Sequence, residues 1–185
     1  MNGIDFAFVI VTILSALWIM LPAYIPNPVA AACGGGRAID GGRLLRDGNR
    51  IFGDGKTIRG LISGIGAGIL IGIILILARS WFQLSFLPEH SISTIVLLST
   101  GALLGDLAKS FLKRRIGIER GDKWPIADQY DLVIGALICL LIGAPAWFMA
   151  TITLPIIIAI VVITPVLHRG ANIIGYILGI KEVPW

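Results

Sequence analysis

Long uncharged apolar runs alternate along this chain with shorter stretches that hold nearly all of its charge. The first run covers 6–24 and meets Pro26 and Pro28, the second covers 61–78, and the third, 91–108, carries Asp106 near its end. Each is close to the roughly 20 residues a helix needs to cross a bilayer. From Leu132 to Leu167 no charge occurs for 36 residues. As one helix that stretch would extend about 54 Å, well beyond a hydrocarbon core of roughly 30 Å. Two spans are therefore expected, 132–149 and 153–167, parted between Met149 and Pro155, where Thr151, Thr153 and Pro155 suit a turn and a helix start. The runs are continuous and lack the period-two alternation of lipid-facing strands, so helices are expected rather than a barrel. The pattern predicts one all-α integral membrane domain over 1–185 with five transmembrane helices, long loops at 25–60 and 109–131, and a tail at 168–185.

Composition agrees. Of 185 residues, 56% are hydrophobic and 14% charged, with a mean hydropathy of +0.90, whereas soluble domains carry about a quarter charged residues. The formal charge of +4 would suit nucleic acid, but the basic residues are confined to loops between apolar runs, and no nucleic-acid partner is expected. Of 15 Lys and Arg, six lie in 30–60 (Arg37, Arg43, Arg46, Arg50, Lys56, Arg59) and six in 109–131 (Lys109, Lys113, Arg114, Arg115, Arg120, Lys123). Arg169 and Lys181 follow the last run, which leaves Arg79 for the other face. Five crossings thus satisfy the positive-inside rule at every loop, with the N-terminus out and the C-terminus in; four or six would divide the basic loops from the tail. Asp5, with no basic residue before the first run, predicts a retained first span. Cys33 and Cys139 form neither a metal spacing nor a disulfide framework. The tail, with Ile173, Ile174, Tyr176, Ile177 and Trp185, suits a segment lying in the interface.

Gly60, Gly64, Gly68 and Gly72 recur every four residues and line one helix face. Such a face admits close approach of another helix, either within the chain or across a homodimer seam.

The two basic loops also hold acids, which topology does not require. The first mixes its bases with Asp40, Asp47, Asp54 and many glycines, whose backbone freedom lets successive N–H groups converge on an anion. Gly53-Asp54-Gly55-Lys56-Thr57-Ile58-Arg59-Gly60 is not a P-loop, because that spacing needs glycine where Arg50 stands and no strand precedes it. Phosphate handling by another kind of loop and a flexible topogenic linker are both open. In the second loop, Asp106 needs compensation for its place in an apolar run. A continuing helix puts Ser110, Lys113 and Arg114 on its face at four, seven and eight residues further. After a turn at Gly117 and Gly121 come Asp122, Pro125, Asp128 and Asp131, the last two sharing a face at the start of the fourth span. Three carboxylates at neighbouring helix ends, mixed with Lys and Arg, are the composition expected for Mg²⁺ with a polyphosphate. A helix-capping pair with a stabilising Lys113–Asp106 bridge is the plainer alternative.

Gly105-Asp106-Leu-Ala-Lys-Ser110-Phe-Leu-Lys113-Arg114, followed by Gly121-Asp122, Pro125 and Asp128-Gln-Tyr-Asp131, resembles the signature of the membrane-bound CTP:phosphatidate cytidylyltransferases. The likeness is stronger to their archaeal branch, the CDP-archaeol synthases, whose five-span size, Gly-Lys-Thr-x-Arg-Gly loop and Pro-Trp ending are similar to this entire chain. Trp124-Pro125-Ile126-Ala127 departs from the Gly- and His-containing stretch of the bacterial and eukaryotic members, which again favours the archaeal branch. The resemblance implies transfer of a cytidylyl group from CTP to 2,3-bis-geranylgeranylglyceryl phosphate at the cytoplasmic side of the cell membrane, releasing pyrophosphate. It implies that Asp106 and Asp131, with Asp128, bind Mg²⁺, that Lys113 contacts phosphate, and that Gly53, Asp54, Gly55, Lys56, Thr57, Arg59, Ser110, Arg114 and Asp122 surround the substrates. Three rivals stand beside it. A CDP-alcohol phosphotransferase would need Asp-Gly-x-x-Ala-Arg, a pattern that Asp40-Gly41-Gly42-Arg43-Leu44-Leu45 breaks. A small transporter would use Asp106 as an ion site but should show polar residues at mid-span. An assembly subunit would use only the glycine face.

Overall fold

A computed structural model describes residues 5–119, 122–180 and 183. Among them the elements are seven helices: α1 (Phe6–Tyr24), α2 (Pro26–Ala32), α3 (Ile58–Trp81), α4 (Ile92–Arg115), α5 (Pro125–Gly143), α6 (Pro145–Thr151) and α7 (Leu154–Ile177). Five spans are long and apolar enough to cross a membrane, α1 and α2 counting together. Strand pairing among the described residues is limited to the isolated bridges Ala38–Thr57 and Leu44–Arg50.

The prolines at 26 and 28 do not end the first span. Ile25 keeps helical angles and Pro26 takes the first position of α2, where its missing N–H is no loss. The loop therefore begins only after Ala32. Helix α4 starts at a reciprocal cap, with Ser91 Oγ accepting from the Thr94 N–H at 3.2 Å and Thr94 Oγ1 from the Ser91 N–H at 2.9 Å. It then runs beyond residue 108 through the basic stretch to Arg115. Helix α5 starts seven residues ahead of Leu132, at Pro125, and ends at Gly143 rather than Met149, because Pro145 cannot continue it and instead opens α6. Helix α7 carries on past Leu167 to Ile177, so the predicted interfacial tail is largely helix; Lys181 and Trp185 lie outside the described residues.

The core joins α1 (Ala16, Ile19, Met20, Ala23), α4 (Leu98, Ala102), α5 (Leu132, Val133, Ala136, Leu140) and α7 (Ala159, Ile160). The outward faces remain apolar, as at Ile62, Leu70, Leu77, Ile142 and Val162, and water would penalise them; a lipid surround does not. The chain is a multi-pass membrane protein.

Helices α4 and α5 form the most extensive pair. A Cβ on Gly105 would stand 2.0 Å from the Asp131 carbonyl oxygen, and one on Gly135 would stand 2.2 Å from that of Gly101. Gly60, Gly64, Gly68 and Gly72 are buried inside the fold, where added Cβ atoms would meet Ala30, Pro26, Pro22 and Ile95 respectively at 2.6–2.8 Å. The glycine face is consumed by α1, α2 and α4. It is therefore not free to form the homodimer seam that its spacing also allowed.

At the end opposite the charged loops, residues 82–91 are pinned by side chains. Trp18 Nε1 donates to the Pro88 carbonyl at 3.1 Å, Trp147 Nε1 to that of Glu89 at 2.7 Å, and Arg79 Nε to that of Leu87 at 3.0 Å. His90 is buried between Trp18 and Trp147, and that burial lowers its pKa.

Candidate active site

The first loop has an anionic hub. Asp40 is buried and accepts the N–H groups of Gly42 (3.1 Å), Phe52 (3.0 Å) and Gly53 (3.0 Å), while the Arg50 guanidinium binds it from Nη2 at 2.5 Å and Nε at 3.2 Å. Arg50 holds the Asp40 carboxyl well below the usual carboxylate range, against the opposing effect of burial. Gly53 reaches its bond with φ +99°, a conformation a side chain would strain. Arg115, at the end of α4, binds Asp47 at 2.7 Å and the Arg50 carbonyl at 2.5 Å. The first loop is thereby clamped to α4, and the basic segments around both loops lie at one end of the bundle.

That clamp delivers Lys56 to the helix ends. Its ammonium is ion-paired with Asp106 of α4. Lys109, one turn further along α4, touches three carboxylates: Asp106 Oδ1 at 3.3 Å, Asp128 Oδ1 at 3.3 Å and Asp131 Oδ2 at 2.7 Å. Lys113, a further turn on, lies 3.3 Å from both Asp128 oxygens and donates to the Asp122 carbonyl at 2.5 Å. Three acids on two helices thus interleave with three ammoniums from α4 and the loop. The close crossing at Gly105 sets this meeting, because it brings the Asp131 backbone directly against α4. Asp128, in the first turn of α5, also accepts the Trp124 N–H at 2.7 Å and so helps start the helix that carries it.

The structure brings Asp106, Lys113, Asp128 and Asp131 together, and it adds Lys109, which sequence reasoning counted only as topogenic charge. Its position three residues after an intramembrane acid was the available signal. Asp106, Lys113, Asp122 and Asp128, with Gly55, Lys56 and Thr57 from the loop, line a cavity of about 860 Å³. Thr57 also caps α3, its Oγ1 accepting the Gly60 N–H at 3.1 Å. The other predicted residues lie off this wall. Ser110 is buried and donates to the Asp106 carbonyl at 2.8 Å, and Asp54 pairs with Arg50 at 2.5 Å. Arg59 turns away to the Cys33 and Gly34 carbonyls at the end of α2. Arg114 lies beside Gly53, its buried Nε without a hydrogen-bond partner among the described residues. Gly121 lies outside the described residues.

From the charged end the cavity continues between α1–α2 and α7 over surfaces that are mostly apolar, such as Leu21, Val29, Leu103 and Ile174. A polar strip interrupts them. Thr164, His168 and Asn172 stand four residues apart on α7, and Tyr24 and Asn27 line the same space; the Tyr24 and Thr164 hydroxyls are 2.8 Å apart. This strip was not singled out from sequence, although the four-residue spacing was legible.

The donor set could serve a hard cation. Asp131 Oδ2 is enclosed and, among the described residues, accepts no well-directed hydrogen bond, though the Lys109 ammonium lies 2.7 Å from it. Carboxylate oxygens of this kind suit Mg²⁺. As the side chains stand, no three His, Cys, Asp or Glu among the described residues are arranged to hold a metal. Lys109 fills the point on which the acids converge.

Residues 9–185 match the family model described as CarS-like CDP-archaeol synthase. The CDP-archaeol synthases of Methanoculleus marisnigri and Methanoregula boonei are each 58% identical to this chain over 166 residues, covering 90% of it and all of the relative. That of Methanosarcina mazei is 47% identical over 175 residues at the same coverage. A solved structure of an intramembrane enzyme for archaeal membrane lipids biosynthesis shares the fold with a TM-score of 0.68 and 38% identity, over 87% of this chain and 94% of the other. Likeness this high, sustained from end to end in sequence and over most of the helical frame, makes the chain a member of the CDP-archaeol synthase family and a cytidylyltransferase.

Proposed function

We propose that this enzyme transfers the cytidylyl group of CTP to 2,3-bis-geranylgeranylglyceryl phosphate, with Mg²⁺, at the cytoplasmic face of the cell membrane. The observation that carries this reading is the union of two chemistries in one cavity. Lys56, Lys109 and Lys113 crowd one end with Asp106, Asp122 and Asp128, and apolar walls run from there between α2 and α7. A nucleoside triphosphate alone would not need the apolar extension, and a lipid alone would not need the charges.

In this reaction a lipid phosphate oxygen attacks the α-phosphorus of CTP, a new P–O bond forms, and the bond to the β-phosphate oxygen breaks, releasing pyrophosphate. No protein nucleophile is needed, only alignment and charge neutralisation. Lys56 and Lys113 line the cavity together with Asp106 and would bind the phosphates; Gly55 lines it too and offers backbone. Asp106 and Asp131, with Asp128, would hold Mg²⁺, which supplies compensation for charge developing on the leaving pyrophosphate. Asp131 is pinned by its own helix, accepting the Leu132 N–H at 2.6 Å, so it presents its second oxygen in one direction. The prenyl chains would lie along the α1–α2 and α7 walls. Twelve of the 15 basic residues lie in or beside the two loops at the charged end, which supports a cytoplasmic site with the N-terminus outside.

The test is CTP-dependent pyrophosphate release by the detergent-solubilised protein, with and without the prenylated glycerol phosphate and with Mg²⁺ or a chelator. Release should require all three components. Asp106→Asn should abolish it while leaving expression and elution profile intact, and full activity in that variant would overturn the assignment. Lys113→Met should lower the rate at least about tenfold by removing a phosphate contact; an unchanged rate would leave Lys113 a tether for Asp128 and Asp122.

A further inference from the structure

The centre of the acid cluster is held by a side chain of the protein itself. Lys109 reaches Asp106, Asp128 and Asp131 within 3.3 Å, from the helix that also carries Asp106. An ammonium and a hydrated divalent cation compete for the same carboxylate oxygens, and both cannot stand at one point. The lysine is largely enclosed there, at 15% side-chain exposure, so releasing it requires another anion to receive its charge.

We propose that Lys109 acts as a resident counter-cation that keeps the divalent site closed until nucleotide binds. It holds three like charges together in the nucleotide-free enzyme. It gives up the position when a triphosphate provides new oxygens for its ammonium, so metal and nucleotide enter as a linked pair. Lys56, a loop residue that shares Asp106, restrains one acid only; Lys109 restrains all three. Linkage of this kind is reciprocal: whatever lysine withholds from the free metal, the nucleotide restores. The proposal rests on the Mg²⁺ reading above and adds the residue that controls it.

Mn²⁺ can be titrated onto the full-length protein in detergent, with free Mn²⁺ read by electron paramagnetic resonance. Without nucleotide, wild type should bind Mn²⁺ weakly. Lys109→Met and Lys109→Gln should bind it about tenfold more tightly or better, within the usual range of coupling between sites. Lys109→Arg, which keeps the charge, should resemble wild type, a distinction that a merely structural role would not produce. Adding Asp131→Asn to Lys109→Met should erase the gain and so locate it at the cluster. The glutamine variant, which can still hydrogen-bond the acids, covers the case in which the methionine variant fails to fold. Equal nucleotide-free affinity in wild type and both neutral variants, with CTP-dependent Mn²⁺ binding intact, would overturn the role of Lys109 and leave the metal reading standing. Absence of protein-bound Mn²⁺ in wild type even with CTP would overturn both.

Discussion

Asp40 never reaches the cavity, yet it determines whether Lys56 can. Its two oxygens gather three backbone N–H groups and one guanidinium into a turn that Arg115 fastens to α4. Asp40→Ala leaves those donors unpaired and should destabilise the protein by about 3 kcal/mol, with a matching fall in thermal midpoint and loss of activity. The pH dependence has a defined sign. The folded pKa of Asp40 lies below its unfolded value, so its contribution is complete above about pH 4 and is lost as pH falls through the depressed folded value. The difference in midpoint between wild type and Asp40→Asn should therefore stay constant from pH 8 to about pH 5 and shrink only in stronger acid. A difference that faded near neutrality would point to another group.

Among the elements, α4 and α5 behave as one unit because glycine lets them touch. Gly105→Ala would drive a methyl into the Asp131 backbone, and Gly135→Ala would do the same against Gly101. Either must part the helices, at a cost of about 1–3 kcal/mol for overpacking. Because the acids face each other across that crossing, activity should fall more than stability. Gly66→Ala on α3 is the control: its Cβ would meet nothing within 4 Å, and the position is exposed. Thermal midpoints and rates for the three variants check this, and equal effects at Gly66 and Gly105 would contradict it. One glycine alignment is read from the sequence, the repeat at 60–72. It stands out by its length, while Gly101 and Gly105, which hold the site, form a single short pair.

For the whole molecule, the arrangement predicts sidedness. Cys33 is exposed beside the charged loop, whereas Cys139 lies within α5. In a Cys139→Ser background, a membrane-impermeant maleimide should label Cys33 in inside-out vesicles and not in right-side-out ones. Labelling from the outside would reverse the proposed orientation and remove the cavity from the cytoplasmic CTP pool. Family membership sets aside the transporter and assembly-subunit readings, and the phosphotransferase motif is broken at Leu44 and Leu45, where it needs Ala and Arg.

Five spans, their approximate places and the gathering of charge between them were legible from sequence, because apolar length and loop charge are properties of the chain in one dimension. The acid pattern at Asp106, Asp128 and Asp131 was legible for the same reason, as spacing on a helix. Helix ends were less so: Pro26 and Pro145 begin helices, and nothing local distinguishes a proline that stops a span from one that starts the next. Which faces meet was decided only by tertiary structure. The burial of the 60–72 glycine face, the α4–α5 crossing, the placing of Lys109 among three acids and the diversion of Arg59 to the end of α2 all depend on distances between segments far apart in the chain. Those distances are set by how closely backbones can approach, a property of pairs of helices that no single run of residues contains.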